Sequence, residues 1–335
     1  MTGGGNLDSV RNMGLPVICL GAVNVDLRYE VPDLGPFLDT WPGLQPGGEA
    51  ALAPGEESRL TDLLNRYGRP SGRHGGGQAA NTAYALACMG VKVALVGRVG
   101  ADADGAFLRD SLPGVTLDYL ASAGASGRAY ILVNPQGERT ILVAPNTNDD
   151  LQEKDIPYEA LTDAEFLHFT SFVGEGPLQV QRQVARRLPQ SSRLSLDPGE
   201  LYARRGWQAL EEILDRVESL LVTEAEWALL GGEMDRHPYW APPLILIKRG
   251  PQGARLLTPV RFLDFPGELP PRLVDTLGAG DVFAAGYLAA RLHGLNLPAA
   301  VRLAGWAAAY KLTGAGRERY PNREFLEKQL ANLRY

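Results

Sequence analysis

Short apolar runs alternate with amphipathic stretches along most of this chain. PVICLGAVNVD (16–26) is apolar and β-branched and predicts a first strand, with Asp26 where it emerges. In EESRLTDLLNRYG, Leu60, Leu63, Leu64 and Tyr67 recur at helical spacing, and Gly68 is a natural stop. GGGQAANTAYALACMG (75–90) runs three glycines straight into a helix of apolar and small residues that Gly90 ends. VKVALVGRVG (91–100) predicts a strand, and DADGAFLRDSL (102–112) a helix with an acidic first turn. GRAYILV and ERTILVA, joined by Asn134–Gly137, predict a β-hairpin over 128–144. From Glu165, the strands EFLHFTSF and RLSLD precede the helix WQALEEILDRV. SLLVTEAEWALLGG is a strand leading into a helix; PLILIKRG and GARLL are further strands. PRLVDTLGAGDVFAAGYLAARLHG gives a loop and a long helix, and LPAAVRLAGWAAAYKLTG another helix.

Alternating strands and helices imply an α/β fold, a mainly parallel sheet with helices on both faces. A hairpin is out of place in such a sheet, so 128–144 is expected to form an accessory element. There is no fixed-period repeat and no long polar linker, which favours one large domain with a small attached lid. Residues 1–14, Gly-rich and polar, are expected to be a loose tail.

Composition adds limits. With 335 residues, 45% hydrophobic and 21% charged, the chain suits a soluble globular protein. Glycine stands out: 39 of 335 is about 12%, against a usual level of about 7%. That excess implies tight turns or close backbone approach to a ligand. The net charge of −6 argues against a nucleic-acid partner, though a local nest of N–H groups can bind phosphate on an acidic protein. Cys19 and Cys88 form no CxxC pair, which fits a reducing cytosol, and the four scattered histidines give no zinc signature. No apolar run reaches the length of a membrane span; Gly14–Val25 reads as a buried strand rather than a signal peptide.

The strongest local feature is Asp275-Thr276-Leu277-Gly278-Ala279-Gly280-Asp281. Two glycines and an alanine before a helix let bare N–H groups approach an anion. Asp281 makes sense there as a base taking a proton from a hydroxyl that attacks a phosphate. A plain helix cap is the competing reading, but a cap needs no GAG. Gly75, Gly77 and Ala80 fit G-x-G-x-x-A, yet RYGRPSGRH before them is not the buried strand a dinucleotide fingerprint requires. Two readings of this stretch stand level: close backbone approach to a polyol with Asn81 aimed at its hydroxyls, or a tight turn with Asn81 satisfied locally. Asp26, at a strand end, suits sugar hydroxyls or is an ordinary turn carboxylate. Walker A, GxSxG, HRD and DFG motifs are absent. Cys88 reads as a core thiol and His74 as a solvated loop residue.

Together these residues resemble the PfkB (ribokinase-like) sugar and nucleoside kinases, over roughly Val17 to Gly316. VDTLGAGDVFAAG (274–286) looks like that family's C-terminal signature, and GGQAANTAYALACMG (76–90) is similar to its N-terminal one. GRVGADADGAFL (97–108), GERTILV (137–143) and IKRGPQGARLL (247–257) support it in family order. The resemblance implies a three-layer ribokinase-like fold, a single domain over 1–335 with lid elements near 27–74 and 128–144. It implies an ATP-dependent kinase acting on a sugar hydroxyl, with a nucleoside kinase as the alternative and an inactive ligand-binding homologue as a distant one.

Asp281 would be the general base, and Gly278, Ala279 and Gly280 the anion hole. Asp26, Gly76, Gly77, Asn81 and Arg139 would hold the acceptor, Arg139 only if the lid folds over the site. Thr223, Lys248, Gly250, Gly253, Thr276, Gly278 and Gly280 would lie along ATP. Mg²⁺ would arrive with ATP, reached by Glu226 through water, and some members bind a monovalent cation in the loop that Asp275 and Thr276 shape. A cytoplasmic location and a homodimer fit the family. Two departures stand out: Thr223 replaces Asn in the usual N-x-x-E, and Gln78-Ala79 replace Lys-Gly after the first glycines. The 76 − 26 = 50 positions between Asp26 and Gly76, with residues 37–68 as a long insertion, lean towards adenosine-kinase-like members. LSLDPGELY (194–202) leans towards the sugar branch.

Overall fold

The computed structural model describes residues 15–333, so the expected loose tail at 1–14 lies outside the described residues. Its larger sheet has nine strands. In spatial order they are Phe262–Phe265, Ala254–Leu257, Leu244–Lys248, Val217–Thr223, Arg193–Asp197, Phe166–Thr170, Val17–Leu20, Val93–Val99 and Leu120–Ser122. Seven pair in parallel; at the Phe262 edge Ala254–Leu257 runs antiparallel to them, and Phe262–Phe265 antiparallel to it. Val17–Leu20 lies inside the sheet, and the chain builds outward from it in both directions, which creates a switch point where α/β sheets bind ligands.

Both faces of this sheet are buried. Val17 and Cys19 join one core, while Ile18 and Leu20, pointing the other way, join a second. The helices Gln78–Cys88, Ala279–Leu292, Leu297–Lys311 and Arg323–Leu333 pack on the first face, and Glu175–Arg187 and Trp207–Leu214 on the other. The result is three layers. The first face is rich in alanine because its helices lie close: a Cβ on Gly286 would stand 2.9 Å from the Ala307 Cβ. No helix among the described residues is long and apolar enough to cross a membrane.

A second sheet of five strands runs Glu49–Ala51, Arg139–Ala144, Gly127–Val133, Asn24–Glu30 and Arg69–Gly76. It corrects two expectations. PVICLGAVNVD is not one strand: the chain leaves the large sheet at Leu20 and enters the small one at Asn24. Gly21 permits the crossing, since a Cβ there would meet the Thr170 Oγ1 at 2.0 Å. Asp26 therefore sits within the second sheet, opposite His74 and Ala129, rather than at the end of the first strand. RPSGRHGG is itself a strand, on the sheet edge where Pro70 is tolerated, so His74 is on a strand rather than a loop. The helices Gly35–Thr40 and Glu56–Tyr67 cover one face of this sheet through Phe37, Leu60, Leu64, Tyr130, Leu132 and Leu142.

Gly286→Val should cost about 1–3 kcal/mol by overpacking the contact with Leu297–Lys311. Urea unfolding measures this, and an unchanged midpoint would contradict the close helix contact.

Candidate active site

Thr170, Asp197, Thr223 and Lys248 end neighbouring parallel strands and so share the carboxyl edge of the large sheet. The 275–278 loop leads from this edge into the helix Ala279–Leu292. Gly278 is the N-cap, with a φ of +76°, and no side chain caps the helix. Ala279 N donates to the Thr276 carbonyl at 3.3 Å, and no side chain takes the N–H of Gly280, which leaves it for an anion. A side chain at Gly278 would need that left-handed backbone and would place its Cβ 2.9 Å from the Tyr320 hydroxyl.

Asp281 does not cap this helix. Its Oδ2 accepts a hydrogen bond from Asn81 Nδ2 at 2.8 Å. Asn81 Oδ1 in turn accepts from Arg317 Nε at 3.1 Å and Nη2 at 2.9 Å, and Arg317 Nη1 donates to the Ser111 carbonyl at 2.9 Å. Asn81 is thus bound to distant partners, not satisfied within its own turn. Burial, with the nearby Asp197 charge, pushes the Asp281 carboxyl up to about 6 against the lowering effects of Asn81, Lys248 and Arg317. Burial likewise pushes Asp26 up to about 7, opposed by Arg317 and reinforced by Asp281.

Two cavities flank the loop. The smaller, about 60 Å³, is lined by Asp26, Arg28, His74, Asn81, Ile131, Gly278 and Arg317, among others. The larger, about 730 Å³, takes in Thr223, Lys248, Gly250, Gly253, Thr276, Ala279 and Gly280. Ten of the sequence-expected residues divide between these two compartments, which meet at the GAG loop, while Asp281, Arg139, Glu226, Gly76 and Gly77 line neither. Gly76 and Gly77 stand behind the smaller one. A Cβ on Gly76 would fall 2.0 Å from the Asp26 Oδ1, and one on Gly77 2.3 Å from the Ala22 carbonyl oxygen. These glycines make room for Asp26 and for the chain crossing. Arg139 reaches from the hairpin to the loop, donating to Thr276 Oγ1 and standing 3.3 Å from Asp275 Oδ1.

At the larger cavity, Lys248 Nζ pairs with Asp197 Oδ2 at 2.5 Å. Burial alone would lower this ammonium's pKa, but Asp197 and Glu226 hold it above its ordinary value. Thr223 and Glu226 form a reciprocal cap: Glu226 Oε2 accepts from Thr223 N at 2.7 Å, and Thr223 Oγ1 accepts from Glu226 N at 3.2 Å. Thr in place of the usual Asn keeps a local role. Burial raises the Glu226 carboxyl. Among the described residues no cluster of three His, Cys, Asp or Glu could cage a metal. This donor set fits a Mg²⁺ carried mainly by substrate phosphates, with one protein carboxylate near it.

Residues 56–321 match the pfkB family carbohydrate kinase pattern. The chain belongs to the PfkB carbohydrate kinase family. An uncharacterized sugar kinase of Archaeoglobus fulgidus is 30% identical over 73% of this chain and 99% of its own length. An ATP-dependent ribose-1-phosphate kinase of Halopiger xanaduensis is 31% identical over 75% of this chain and 83% of its own. Adenosine kinase from Sinorhizobium meliloti shares the fold, with a TM-score of 0.81, 20% identity, and coverage of 94% of this chain and 99% of that one. As a PfkB kinase, the protein is a phosphotransferase with an alcohol acceptor, and its fold is ribokinase-like.

Several residues of this PfkB kinase site escaped the sequence reading. Asp197 ends the strand RLSLD, and its place at a strand's carboxyl end was the available signal. Arg317 and Tyr320 follow the last recognisable motif and carry no local pattern. Glu49 is pushed up to about 7 by burial, then by Glu200, Glu226, Asp26 and Asp281. Only the second sheet brings it there.

Asp26 titrates higher folded than unfolded, so the native state binds the extra proton. The stability this gives is full only below about pH 4, where the unfolded carboxyl is also protonated, and is lost progressively as pH rises from there through about 7. Asp26→Asn should therefore raise the unfolding temperature most at about pH 8, less at about pH 5, and little at or below about pH 4. Calorimetry at these values tests this, and equal shifts would refute it.

Proposed function

We propose that this kinase transfers the ATP γ-phosphoryl group to a hydroxyl of a small sugar, with Asp281 as general base. The observation that carries the reading is the GAG loop between two cavities, with Asp281 beneath it beside Asn81. The larger cavity takes ATP along Thr223, Lys248, Gly250, Gly253, Thr276 and Gly280, with Gly278 at its border on the smaller cavity. The smaller takes the acceptor, whose hydroxyls meet Asp26 and Asn81 against Gly76 and Gly77.

A carboxylate with a pKa of about 6 is mostly ionised at neutral pH yet basic enough to accept the hydroxyl proton. The N–H groups of Gly278 and Gly280, with that of Ala279 once it turns from the Thr276 carbonyl, hold charge that develops on the transferring group. Arg139, closing from the hairpin, ties that loop down and helps exclude water. Mg²⁺ supplies neutralisation of the phosphate charge, and Glu226 is the carboxylate we assign to it through water.

A sugar is favoured over a nucleoside because charged and polar groups, Asp26, Arg28, His74, Asn81 and Arg317, make up much of the smaller cavity's lining. The helices of the long insertion pack with Tyr130 and Leu132, whereas Ile131, on the opposite face of that strand, lines the cavity. The insertion helices thus lie away from the acceptor and give no support for a nucleobase. A second reading, an acceptor that already carries an anionic group, is favoured by Arg28 on the cavity wall beside Arg139, which it disfavours in charge.

Coupled ADP release with ribose, fructose, ribose-1-phosphate, adenosine and cytidine tests both. Turnover of the sugars or the sugar phosphate, without the nucleosides, is expected; preference for a nucleoside would refute the sugar assignment. Asp281→Asn should lower kcat about 10²-fold or more while ATP binding persists. The wild-type rate should fall as pH drops through about 6, where Asp281 takes up its proton. A flat acid limb would remove Asp281 as the base.

A further inference from the structure

Lys311, at the end of the helix Leu297–Lys311, is completely buried. A lysine is seldom found so deep without a partner that needs its charge. Its Nζ donates to the Asp275 carbonyl oxygen at 3.0 Å and to Asp275 Oδ2 at 3.3 Å. Asp275 is the first residue of the DTLGAGD loop. Its remaining valences are also taken: Gly316 N donates to Oδ2 at 3.0 Å, Leu277 N donates to Oδ1 at 3.1 Å, and the Arg139 guanidinium stands beside Oδ1. Val274 N donates to the Leu312 carbonyl at 2.8 Å, so the two segments are stitched together on either side of the ammonium.

This is the loop where the family resemblance leads one to expect a monovalent cation, and the residues present do not fit one. A free K⁺ or Na⁺ would need the oxygens that Lys311 Nζ already holds. It would also enter beside a fixed ammonium and the Arg139 guanidinium, with one carboxylate to balance all three. The carbonyl and carboxylate oxygens are those such an ion uses, but the positive charge comes from the chain itself.

We propose that Lys311 is a tethered monovalent cation: it positions the Asp275–Gly280 loop through Asp275, and the enzyme needs no free K⁺ or Na⁺. Lys311 touches no reacting atom and acts as a positioning residue. Being covalently attached, it is present at every salt composition and costs no binding from solution.

The test uses the full chain dialysed into choline chloride, then K⁺, Na⁺ or NH₄⁺ chloride at constant ionic strength. Unfolding temperature and turnover are read in each. The turnover arm rests on the kinase reading, while the unfolding arm does not, so failure of one is distinguishable from failure of the other. Wild type should show the same unfolding temperature in all four salts and turnover within about twofold, well below an ordinary coupling of 5–150-fold. Lys311→Ala should lose about tenfold or more in choline and regain both rate and unfolding temperature in K⁺ or NH₄⁺, the reciprocal signature of a site reopened to free ions. Lys311→Met, which keeps the packing of the stem, serves if the alanine variant does not fold. A wild type that K⁺ activates or stabilises over choline overturns the proposal without any variant. So does a folded Lys311 variant that no cation rescues, which is what a merely structural lysine would give.

Discussion

The Asp281 carboxylate is held where water is nearly absent, and much of the surrounding structure serves to make its charge tolerable. Burial raises its pKa, yet Asn81, Lys248 and Arg317 keep it within reach of ionisation at neutral pH. The groups that do this come from separate parts of the chain: a helix after the first glycines, a strand of the large sheet, and the segment between the last two helices. Moving any one of these elements would leave a buried charge without compensation, which is far costlier than losing an exposed pair. The relative placement of the layers is thus tied to one ionisation.

The same logic extends outward. Asp197 adds a negative charge that raises Asp281, and Lys248 answers it across 2.5 Å. Asp275 would be another uncompensated carboxylate but for Lys311, Arg139 and two backbone N–H groups. Charges of both signs therefore alternate around the GAG loop. An acidic protein can present this arrangement to a phosphate because the donors facing it are backbone N–H groups at a helix start rather than a broad basic surface.

The glycine excess has two distinct physical origins at this site. At Gly278 the requirement is conformational, a positive φ together with a nearby tyrosine hydroxyl. At Gly76 it is spatial, because the Asp26 carboxylate fills the volume a Cβ would take. The two look alike as letters in a chain. The second cluster lets a strand of the small sheet deliver a carboxylate against the start of a helix.

The alternation of apolar runs was enough to determine the α/β class, the parallel sheet and the accessory hairpin, since periodicity reports burial directly. The signature residues 275–281 were legible for a related reason: a helix start without a side-chain cap is written locally. Periodicity could not show that PVICLGAVNVD serves two sheets, because the apolar run continues through Ala22 and Val23 across the break, and the break depends on Thr170, distant in the chain. Nor did it reveal the helix Glu175–Arg187, whose buried face includes Gln181, a polar residue satisfied by the Thr170 carbonyl at 2.9 Å and the Tyr202 hydroxyl at 2.9 Å. Arg317, Glu49 and Lys311 had no motif at all. Their roles exist only through partners tens to hundreds of positions away, and a charge's effect depends on distance and burial in space. Sequence determined which residues were candidates for binding phosphate and taking a proton; tertiary structure alone decided which charges surround them.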